Sequence, residues 1–460
     1  MTEVAILGAG PAGLLAALRL AQAGRDVVVL ERAAVVGGLA GSFEVGGVRV
    51  DHGSHRLHPS CAPELMALLR ELLGDDLQRR RRHGRMRLRD RWVAFPPRAG
   101  DLVRHLPPGF ALALARDAVA APLRRPRVDT FAEVVRAGLG PAMAEGFYFP
   151  YVRKIWAVEP DELSGELARR RVGARSAGAL LRRLGRRSPD AGVFYYPRRG
   201  YGEIVERLAD AAAAAGADVR LGAEVTGVEL GADGVYVRLG DGRDVGAGRA
   251  WSTVPLPVLA RLVQPAAPAA VRAAADQLEF RGLALVYVAV DRPQWTEFDA
   301  HYFPGPEIAA SRVSEPKNYR DGAGSDPADR TVLCAEVPCT PGDETWSADD
   351  DALGALVADG VARAGLPAVR PVETVVRRVP RAYPVYRVGF EAAFAALDGW
   401  LSAQRRLLTF GRQGLFAHDN THHAMAMGWA AAGALAAGDR FDVPAWDDAR
   451  KAFAAHVVED

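Results

Sequence analysis

The chain has 460 residues, 49% of them hydrophobic, so it can bury a large core and is expected to form more than one domain. Its formal net charge of +2 at pH 7 argues against a dedicated nucleic-acid binder, and no nucleic-acid partner is expected. Three cysteines without CxxC spacing indicate neither a disulfide framework nor a metal site. No apolar stretch is long enough to span a bilayer. We therefore expect a cytoplasmic protein with no metal and no integral membrane segment.

The first forty residues contain two apolar runs of strand length, 4–7 and 27–30, which bracket a G-x-G-x-x-G signature and a helix-like stretch. This order predicts a βαβ unit that places a dinucleotide pyrophosphate on the N-terminus of the helix. The first glycine permits a tight turn, the second lets the backbone approach the phosphates, and the third lets helix and strand pack closely. An acid directly after the second run is expected to accept hydrogen bonds from the ribose hydroxyls. The residues in these roles are Gly8, Gly10, Gly13 and Glu31.

The residues that follow this acid favour FAD over NAD as the dinucleotide. Glu31-Arg32, four further residues and the pair Gly37-Gly38 resemble the E-R-x-x-x-x-G-G stretch of the glutathione-reductase-like flavoproteins. In that group the paired glycines approach the flavin side of the pyrophosphate. We therefore expect bound FAD, with Arg32 and Gly38 among its contacts.

Apolar runs and turn signals along the rest of the chain predict two interleaved units. Short strands around Val225, a hairpin turn at Asp241-Gly242 and a return to the first sheet near Trp251 are expected in the cofactor unit, and Val225 is a candidate FAD contact. The region 61–190 is expected to be mainly helical. The expected segments are 1–60, 190–258 and 400–440 for FAD binding, 61–189 and 259–399 for substrate binding, and 441–460 as a C-terminal helical tail.

Five further segments carry motifs of a known kind, including a strand followed by G-x-H, a K-x-W-x-x-x-P-x-E-L-S stretch and a late G-R pair. They occupy residues 50–56, 154–164, 311–319, 382–386 and 410–425. Together they resemble the flavoprotein group that contains UDP-galactopyranose mutases, protoporphyrinogen oxidases, amine oxidases and carotenoid desaturases, and they are most similar to the mutase-like branch. The resemblance implies an α/β fold: a doubly wound, Rossmann-like FAD domain of the glutathione-reductase type and a second, mixed-sheet plus helical substrate domain.

The resemblance also implies flavin contacts. In that group the residues matching Gly53, Ser54 and His55 lie beside the flavin ring. The G-R pair passes the flavin before a helix whose N-terminus points at the flavin O2 edge, where a positive helix end favours the negative charge of reduced flavin. The candidate contacts at that end are Gly411, Arg412, Asn420, Thr421 and His422.

Substrate and catalytic roles follow from the same resemblance. In the mutases, arginines matching Arg175 and Arg312 clamp a substrate diphosphate, a task that suits the planar, permanently charged guanidinium. Tyr383 lies in a segment similar to one near the substrate. His55 and His418 are candidate acid–base groups, because imidazole titrates near neutral pH.

The chain also departs from the mutases. They carry tyrosines after the G-R pair, whereas this chain has Phe416 and His418, and residues 196–202 are more similar to the Y-P-x-x-G-Y-G of oxidase and desaturase relatives. The favoured function is an FAD-dependent oxidoreductase that removes hydride from a C–H bond, next to nitrogen or carbon, of a small-molecule metabolite.

Two alternatives remain. One is a UDP-galactopyranose mutase-like isomerase that uses reduced flavin on a sugar nucleotide or glycosylated substrate. The other is a non-catalytic flavoprotein that uses FAD for structure or partner binding. The sequence leaves open whether the substrate carries phosphate or sugar, which electron acceptor is used, and the oligomeric state.

Overall fold

The computed structural model describes residues 1–96, 99–121, 124, 129–172, 192–322, 326–436 and 440–458. Its strands are β1 (Thr2–Leu7), β2 (Val27–Leu30), β3 (Ser42–Val45), β4 (Val48–Asp51), β5 (Leu77–Arg81), β6 (Gly84–Leu88), β7 (Arg91–Phe95), β8 (Val193–Pro197), β9 (Asp218–Arg220), β10 (Val225–Leu230), β11 (Val235–Leu239), β12 (Asp244–Ser252), β13 (Val263–Gln264), β14 (Phe280–Val290), β15 (Ala300–Tyr302), β16 (Arg312–Ser314), β17 (Thr331–Cys339), β18 (Glu373–Pro384) and β19 (Leu407–Thr409). Its helices are α1 (Pro11–Gln22), α2 (Pro63–Leu73), α3 (Ala99–His105), α4 (Pro108–Ala120), α5 (Phe131–Leu139), α6 (Pro141–Met143), α7 (Phe149–Trp156), α8 (Gly165–Arg171), α9 (Glu203–Ala214), α10 (Leu256–Leu262), α11 (Ala269–Asp276), α12 (Glu344–Ser347), α13 (Asp350–Arg363), α14 (Phe390–Ser402), α15 (Gly411–Gly414), α16 (Thr421–Ala436) and α17 (Val443–Ala454).

The larger sheet carries the predicted dinucleotide unit. Its strand order is β13-β10-β11-β12-β1-β2-β9, and β19 also pairs with β12. The central pairings of β1 with β2 and β12, and of β2 with β9, are parallel. β10, β11 and β12 form an antiparallel meander, and the turn between the last two falls at the predicted Asp241-Gly242. Helices α9 and α16 pack against α1, which gives the doubly wound arrangement that the sequence predicts.

Tight packing joins the first strand, the glycine loop and two helices. Residues 4–7 of β1 are fully buried, as expected for a parallel strand that is covered on both faces. Gly8 turns the chain with φ +106°, and a Cβ atom on Gly13 would lie 2.1 Å from the Gly8 carbonyl oxygen. A Cβ atom on Gly428 of α16 would lie 2.2 Å from the carbonyl oxygen of Ala12. Only glycine therefore allows α1 and α16 to meet so closely at the loop.

The second sheet is mixed and has the order β18-β14-β17-β16-β15-β6-β7. Its central strand β14 is an almost continuous buried apolar run. In the register of this sheet, Glu336 on β17 stands between Leu285 on β14 and Arg312 on β16. The sheet therefore places a buried acid beside a predicted substrate arginine.

The expectation that 61–190 is mainly helical is wrong for residues 77–95, which follow α2 and form β5, β6 and β7. In β6 the buried Met86 and Leu88 alternate with Arg85 and Arg87. Long arginine side chains at every second position hide this strand periodicity in a sequence that is rich in arginine throughout. β8 pairs with β5 in a separate two-stranded sheet. None of the described helices combines the length and the apolar character needed to cross a bilayer.

Candidate active site

The glycine loop leaves the first turn of α1 open toward a ligand. Gly10 is the residue before the helix, so no side chain accepts the first helical N–H groups, and the first turn contains no acid. These donors are available to an anion, which the helix dipole also attracts. A Cβ atom on Gly10 would meet nothing within 4 Å. The backbone here thus faces open space, as the approach of a pyrophosphate requires.

Gly38 and Glu31 complete this cradle. A Cβ atom on Gly38 would lie 3.5 Å from Cα of Gly10, so the two glycines face each other. Glu31, directly after β2, accepts hydrogen bonds from the N–H groups of Ala9 and Ala33, both at 2.9 Å. These bonds hold the carboxylate at the edge of the glycine loop and leave lone pairs for ribose hydroxyls.

Arg32 and Val225 border the cradle. Arg32 is exposed, and it is one of the neighbouring arginines that, together with burial, lower the pKa of Arg381. Ala223, two residues before Val225, donates its N–H to the carbonyl oxygen of Glu31 at 2.8 Å. The roles of Arg32 and Val225 as FAD contacts stay predictions.

The segment after β19 packs on the start of α1. Gly411 has φ +80°, and a Cβ atom there would lie 3.2 Å from Cβ of Ala12. This contact carries α15, and then the N-terminus of α16, to the open side of the glycine loop. Three of the predicted flavin contacts stand at that N-terminus: Asn420, Thr421 and His422.

The residues after β4 lie against the second sheet. Gly53 takes φ +101°, and Ser54 donates its N–H to Oε1 of Glu336 at 2.9 Å. His55 donates from Nε2 to the carbonyl oxygen of His52 at 3.0 Å. Burial lowers the pKa of His55, so this imidazole is neutral, with Nδ1 as its acceptor. His55 is thereby fixed in one tautomer.

Arg312 is paired with a buried acid that the sequence reasoning missed. Its Nη2 and Nε lie 2.5 and 3.2 Å from Oε1 of Glu336. The side chain of Glu336 is 5% exposed and that of Arg312 is 17% exposed. Although burial opposes the charge, the neighbouring carboxylate raises the pKa of Arg312 above its usual range. The charge that was predicted to clamp a diphosphate is therefore already balanced within the protein.

A second buried arginine fixes the same loop. Arg56 donates to the hydroxyls of Tyr302 and Tyr319 at 3.0 and 3.2 Å, and its Nη2 lies 3.2 Å from Oδ1 of Asp299. The hydroxyls of Ser54 and Tyr319 are hydrogen-bonded to each other. This network holds the loop after β4 rigidly, as a residue that positions flavin or substrate requires.

Tyr383 and Arg412 meet at the end of β18. The guanidinium of Arg412 lies 5.7 Å from the centre of the Tyr383 ring and donates to the carbonyl oxygen of Ala382 at 2.7 Å. Its buried Nε has no hydrogen-bond partner among the described residues. Burial raises the pKa of Tyr383 to about 12, so the phenol keeps its proton and can donate it in a hydrogen bond.

His418 shares a neighbour, Trp156, with Tyr383. Its ring packs edge-on against Trp156 and Tyr386, with centroid distances of 5.8 and 4.8 Å. Burial, and then the charges of Arg171 and Arg412, lower the pKa of His418 well below its usual value. The structure thus places Tyr383 and Arg412 close to the neutral imidazole of His418.

Arg175 lies outside the described residues. The neighbouring Arg171, which was not among the predicted site residues, has its guanidinium 5.4 Å from the centre of the Trp156 ring and 5.8 Å from that of Tyr383. Glu336 was also missed, although one signal pointed to it: it is the acid in an otherwise apolar nine-residue strand. A lone acid in such a strand needs a buried partner.

Three comparisons place the chain among known proteins. The flavin containing amine oxidoreductase family matches residues 11–440. The chain is 31% identical over 292 residues to a phytoene dehydrogenase from Streptomyces griseus, which is 57% of this chain and 56% of that protein. It is 44% identical over 79 residues to a putrescine oxidase from Kocuria rosea, or 17% of this chain and 16% of that protein. The matches thus span about half, or less, of the length of these relatives.

The fold is also that of a solved flavoenzyme. A crystal structure of reduced UDP-galactopyranose mutase superposes with a TM-score of 0.82 at 21% identity, over 100% of both chains. At that identity the similarity concerns the fold alone.

A doubly wound sheet with an open glycine cradle defines a dinucleotide-binding flavoprotein, and the described residues fit FAD. The chain belongs to the flavin-containing amine oxidoreductase family, and FAD is its cofactor. The match to the amine oxidoreductases is one of family, and the similarity to UDP-galactopyranose mutase is one of fold. The predicted fold class, family resemblance and cofactor are confirmed; the reaction and substrate are a separate question.

Proposed function

We propose that this protein is an FAD-dependent oxidoreductase that removes hydride from a carbon of a small-molecule substrate, and that the substrate carries a negatively charged group, a carboxylate or a phosphate. When bound, FAD supplies the acceptor for the hydride. The residues of the chain bind and orient the substrate, exclude water and hold protons. We further propose that segments 1–60, 190–258 and 400–440 bind FAD and that 61–189 and 259–399 bind the substrate.

The observation that carries this proposal is the group of arginines beside Tyr383 and His418. Arg171 and Arg412 both lie against the Tyr383 ring, and burial lowers the pKa of Arg412. Asp419 acts on the charge of Arg412 through space, but the buried Nε of Arg412 still has a donor to offer. An anionic group of the substrate would accept from it and stabilise the buried cation further, whereas an ammonium group would be repelled.

The two neutral side chains beside these arginines, Tyr383 and His418, suit the same reaction. The Tyr383 phenol can donate a hydrogen bond to the substrate, because its raised pKa keeps it protonated. The neutral His418 ring can accept a hydrogen bond beside it, because neither of its nitrogens has a hydrogen-bond partner among the described residues. His55 is a positioning residue, since its Nε2 proton is committed to the carbonyl oxygen of His52.

The mutase-like alternative rests on the full-length structural similarity to UDP-galactopyranose mutase. The Arg312–Glu336 pair counts against it, because a diphosphate clamp needs a charge that is not already neutralised. Phe416 and His418 also stand where the mutases carry tyrosines. We therefore keep it as the second candidate and let the experiment decide.

The test is anaerobic flavin reduction by matched substrates. Amines, alcohols and alkenes are each presented as a free acid or phosphate monoester and as the neutral ester. We expect the anionic member of a pair to reduce the flavin and the ester to be poor. Arg412→Met should raise the KM for the anionic member about 10- to 100-fold, the worth of a charge-assisted hydrogen bond.

Arg363→Met is the matched control, since Arg363 forms an exposed pair with Asp359 on α13, 2.9 Å apart. It should leave KM unchanged. If the Arg412→Met protein loses FAD but keeps its KM for the anionic member, Arg412 belongs to the cofactor site. That result would contradict the proposed anionic substrate. Preference for the neutral esters or for ammonium compounds would contradict it as well.

A further inference from the structure

A cluster of metal-ligating side chains lies at the N-terminus of α16. Asp419 stands just before this helix, His423 lies in its first turn, and His456 follows α17. One donor atom from each of the three lies within 4.8 Å of the others. Asp419 and His423 are four positions apart, but His456 follows His423 by 33 positions. This spacing predicts no metal site.

The Asp419 carboxylate is buried without a hydrogen-bond donor. Its side chain is 0% exposed, and neither oxygen has a hydrogen-bond partner among the described residues. Arg170 and Arg412 act on its charge through space, but a buried carboxylate that no donor contacts stays costly. The nearest groups are imidazole nitrogens: Nδ1 of His456 at 3.3 Å and Nδ1 of His423 at 3.5 Å from Oδ1.

One of these nitrogens presents a lone pair to the carboxylate. Nδ1 of His423 accepts a hydrogen bond from the N–H of Asn420 at 3.2 Å, so this nitrogen carries no proton to donate to Asp419. Nδ1 of His456 makes no hydrogen bond within the described residues. The Asp419 carboxylate and Nδ1 of His423 are thus two acceptors 3.5 Å apart, and they repel unless a positive charge lies between them.

The distances suit a metal ion. Bonds of about 2.0–2.1 Å in a tetrahedral arrangement separate neighbouring ligand atoms by about 3.3–3.4 Å. The two measured separations from Asp419 are 3.3 and 3.5 Å. Two imidazoles and one carboxylate form a donor set that Zn²⁺, Co²⁺ or Ni²⁺ accepts, and that Mg²⁺ and Ca²⁺ do not favour.

We propose that Asp419, His423 and His456 bind one divalent transition-metal ion of the zinc class, which ties the C-terminal segment to the N-terminus of α16. The rings of His423 and His456 are stacked at 16° with centroids 4.1 Å apart, so a shared ion requires one ring to tilt. His456 is the more exposed of the two and lies in the C-terminal segment, and it is the ring that tilts. Arg170 and Arg412 act electrostatically on this region, which weakens the site relative to a fully anionic one.

The test uses FAD-loaded protein without a histidine tag, stripped with a chelator and dialysed against Zn²⁺. We expect one Zn²⁺ per chain. His456→Ala should weaken binding at least about tenfold, the lower bound for losing even an outer-sphere partner of a metal. Asp419→Asn should do the same, with FAD content measured alongside.

His105→Ala is the matched control. His105 and Asp101 form another pair four residues apart, with Nδ1 and Oδ1 3.0 Å apart, but the described residues offer no third ligand there. This variant should bind Zn²⁺ like the unaltered protein.

Zn²⁺ at about 100 times its Kd should also stabilise the unaltered protein by about 2.7 kcal/mol, seen as a higher Tm. His456→Ala should lose that increase. His456 is partly exposed, so this variant keeps the test decisive if Asp419→Asn fails to fold. Absence of Zn²⁺ binding in the unaltered protein, or full binding by His456→Ala, would overturn the proposal and leave a proton as the shared cation.

Discussion

Replacing Glu336 by glutamine should destabilise the protein through its arginine partner. Glu336 accepts two contacts from Arg312 and one from the N–H of Ser54. Glutamine has nearly the same shape, so the variant removes the charge and leaves the packing. Arg312 then stays in the second sheet as a cation without its counter-charge.

The expected cost is about 3 kcal/mol. Breaking one partner of a buried ion pair costs about 3–5 kcal/mol, and the 17% exposure of the Arg312 side chain places this pair at the lower end. At about 2.1 cal/mol/K per residue, a 460-residue chain that unfolds cooperatively loses about 3 °C in Tm. The double variant Arg312→Met/Glu336→Leu removes both charges and should recover most of that loss.

Flavin fluorescence during thermal unfolding of the holoprotein measures this cycle. The reasoning predicts that the double variant is more stable than Glu336→Gln. If Glu336→Gln unfolds at the same temperature as the unaltered protein, Arg312 has no need of this carboxylate. If the double variant is the least stable of the three, packing rather than charge explains the pair.

Two further predictions concern the glycine loop and a buried histidine. Gly10→Ala should weaken FAD binding at least about tenfold and leave the Tm of the apoprotein unchanged, because the added Cβ would fill only the open cradle. Gly13→Ala should instead destabilise the apoprotein by about 1–3 kcal/mol, because the added Cβ would lie 2.1 Å from the carbonyl oxygen of Gly8. Isothermal titration with FAD and apoprotein melting distinguish them, and equal FAD affinity for Gly10→Ala would contradict the cradle. His301 accepts a hydrogen bond from Arg85 at 3.0 Å, and burial, then the Arg85 charge, lowers its pKa from 6.5 to about 3. The unfolded chain then binds a proton that the folded one does not, so stability is complete above pH 6.5 and falls as the pH drops toward 3, by about 2 kcal/mol at pH 5. His301→Gln should flatten denaturant-derived stability between pH 7 and 5, and parallel curves for the two proteins would refute this origin.

The parts of the fold that were predictable are those with a local signal. The βαβ unit is specified by the apolar runs at 4–7 and 27–30 and by the glycines between them. Its turn, its helix start and its strand burial all depend on residues that are neighbours in the sequence. β6 was missed because Arg85 and Arg87 mask its alternation. Its pairing partner β15 lies more than 200 residues away in sequence, and no local pattern encodes that contact.

The site was predictable to a similar extent. Family motifs brought Tyr383, Arg412 and His418 to one expected region, and in the structure Arg412 lies against Tyr383 while Tyr383 and His418 both contact Trp156. The pairing of Arg312 with Glu336 depends on the register of β16 and β17, which the sequence does not reveal. For the same reason the convergence of Asp419 and His456 depends on how the C-terminal segment packs.

The most direct test of the account is whether the oxidised holoprotein acts on its substrate with net electron transfer. Anaerobic absorbance spectra are recorded as the oxidised protein meets the anionic substrates, and the oxidised and the dithionite-reduced protein are each separately offered UDP-galactopyranose. We expect an anionic substrate to bleach the oxidised-flavin band and the sugar nucleotide to remain unchanged in both redox states. Conversion of UDP-galactopyranose by the reduced protein alone, with no net change in flavin redox state, would contradict it and establish the isomerase.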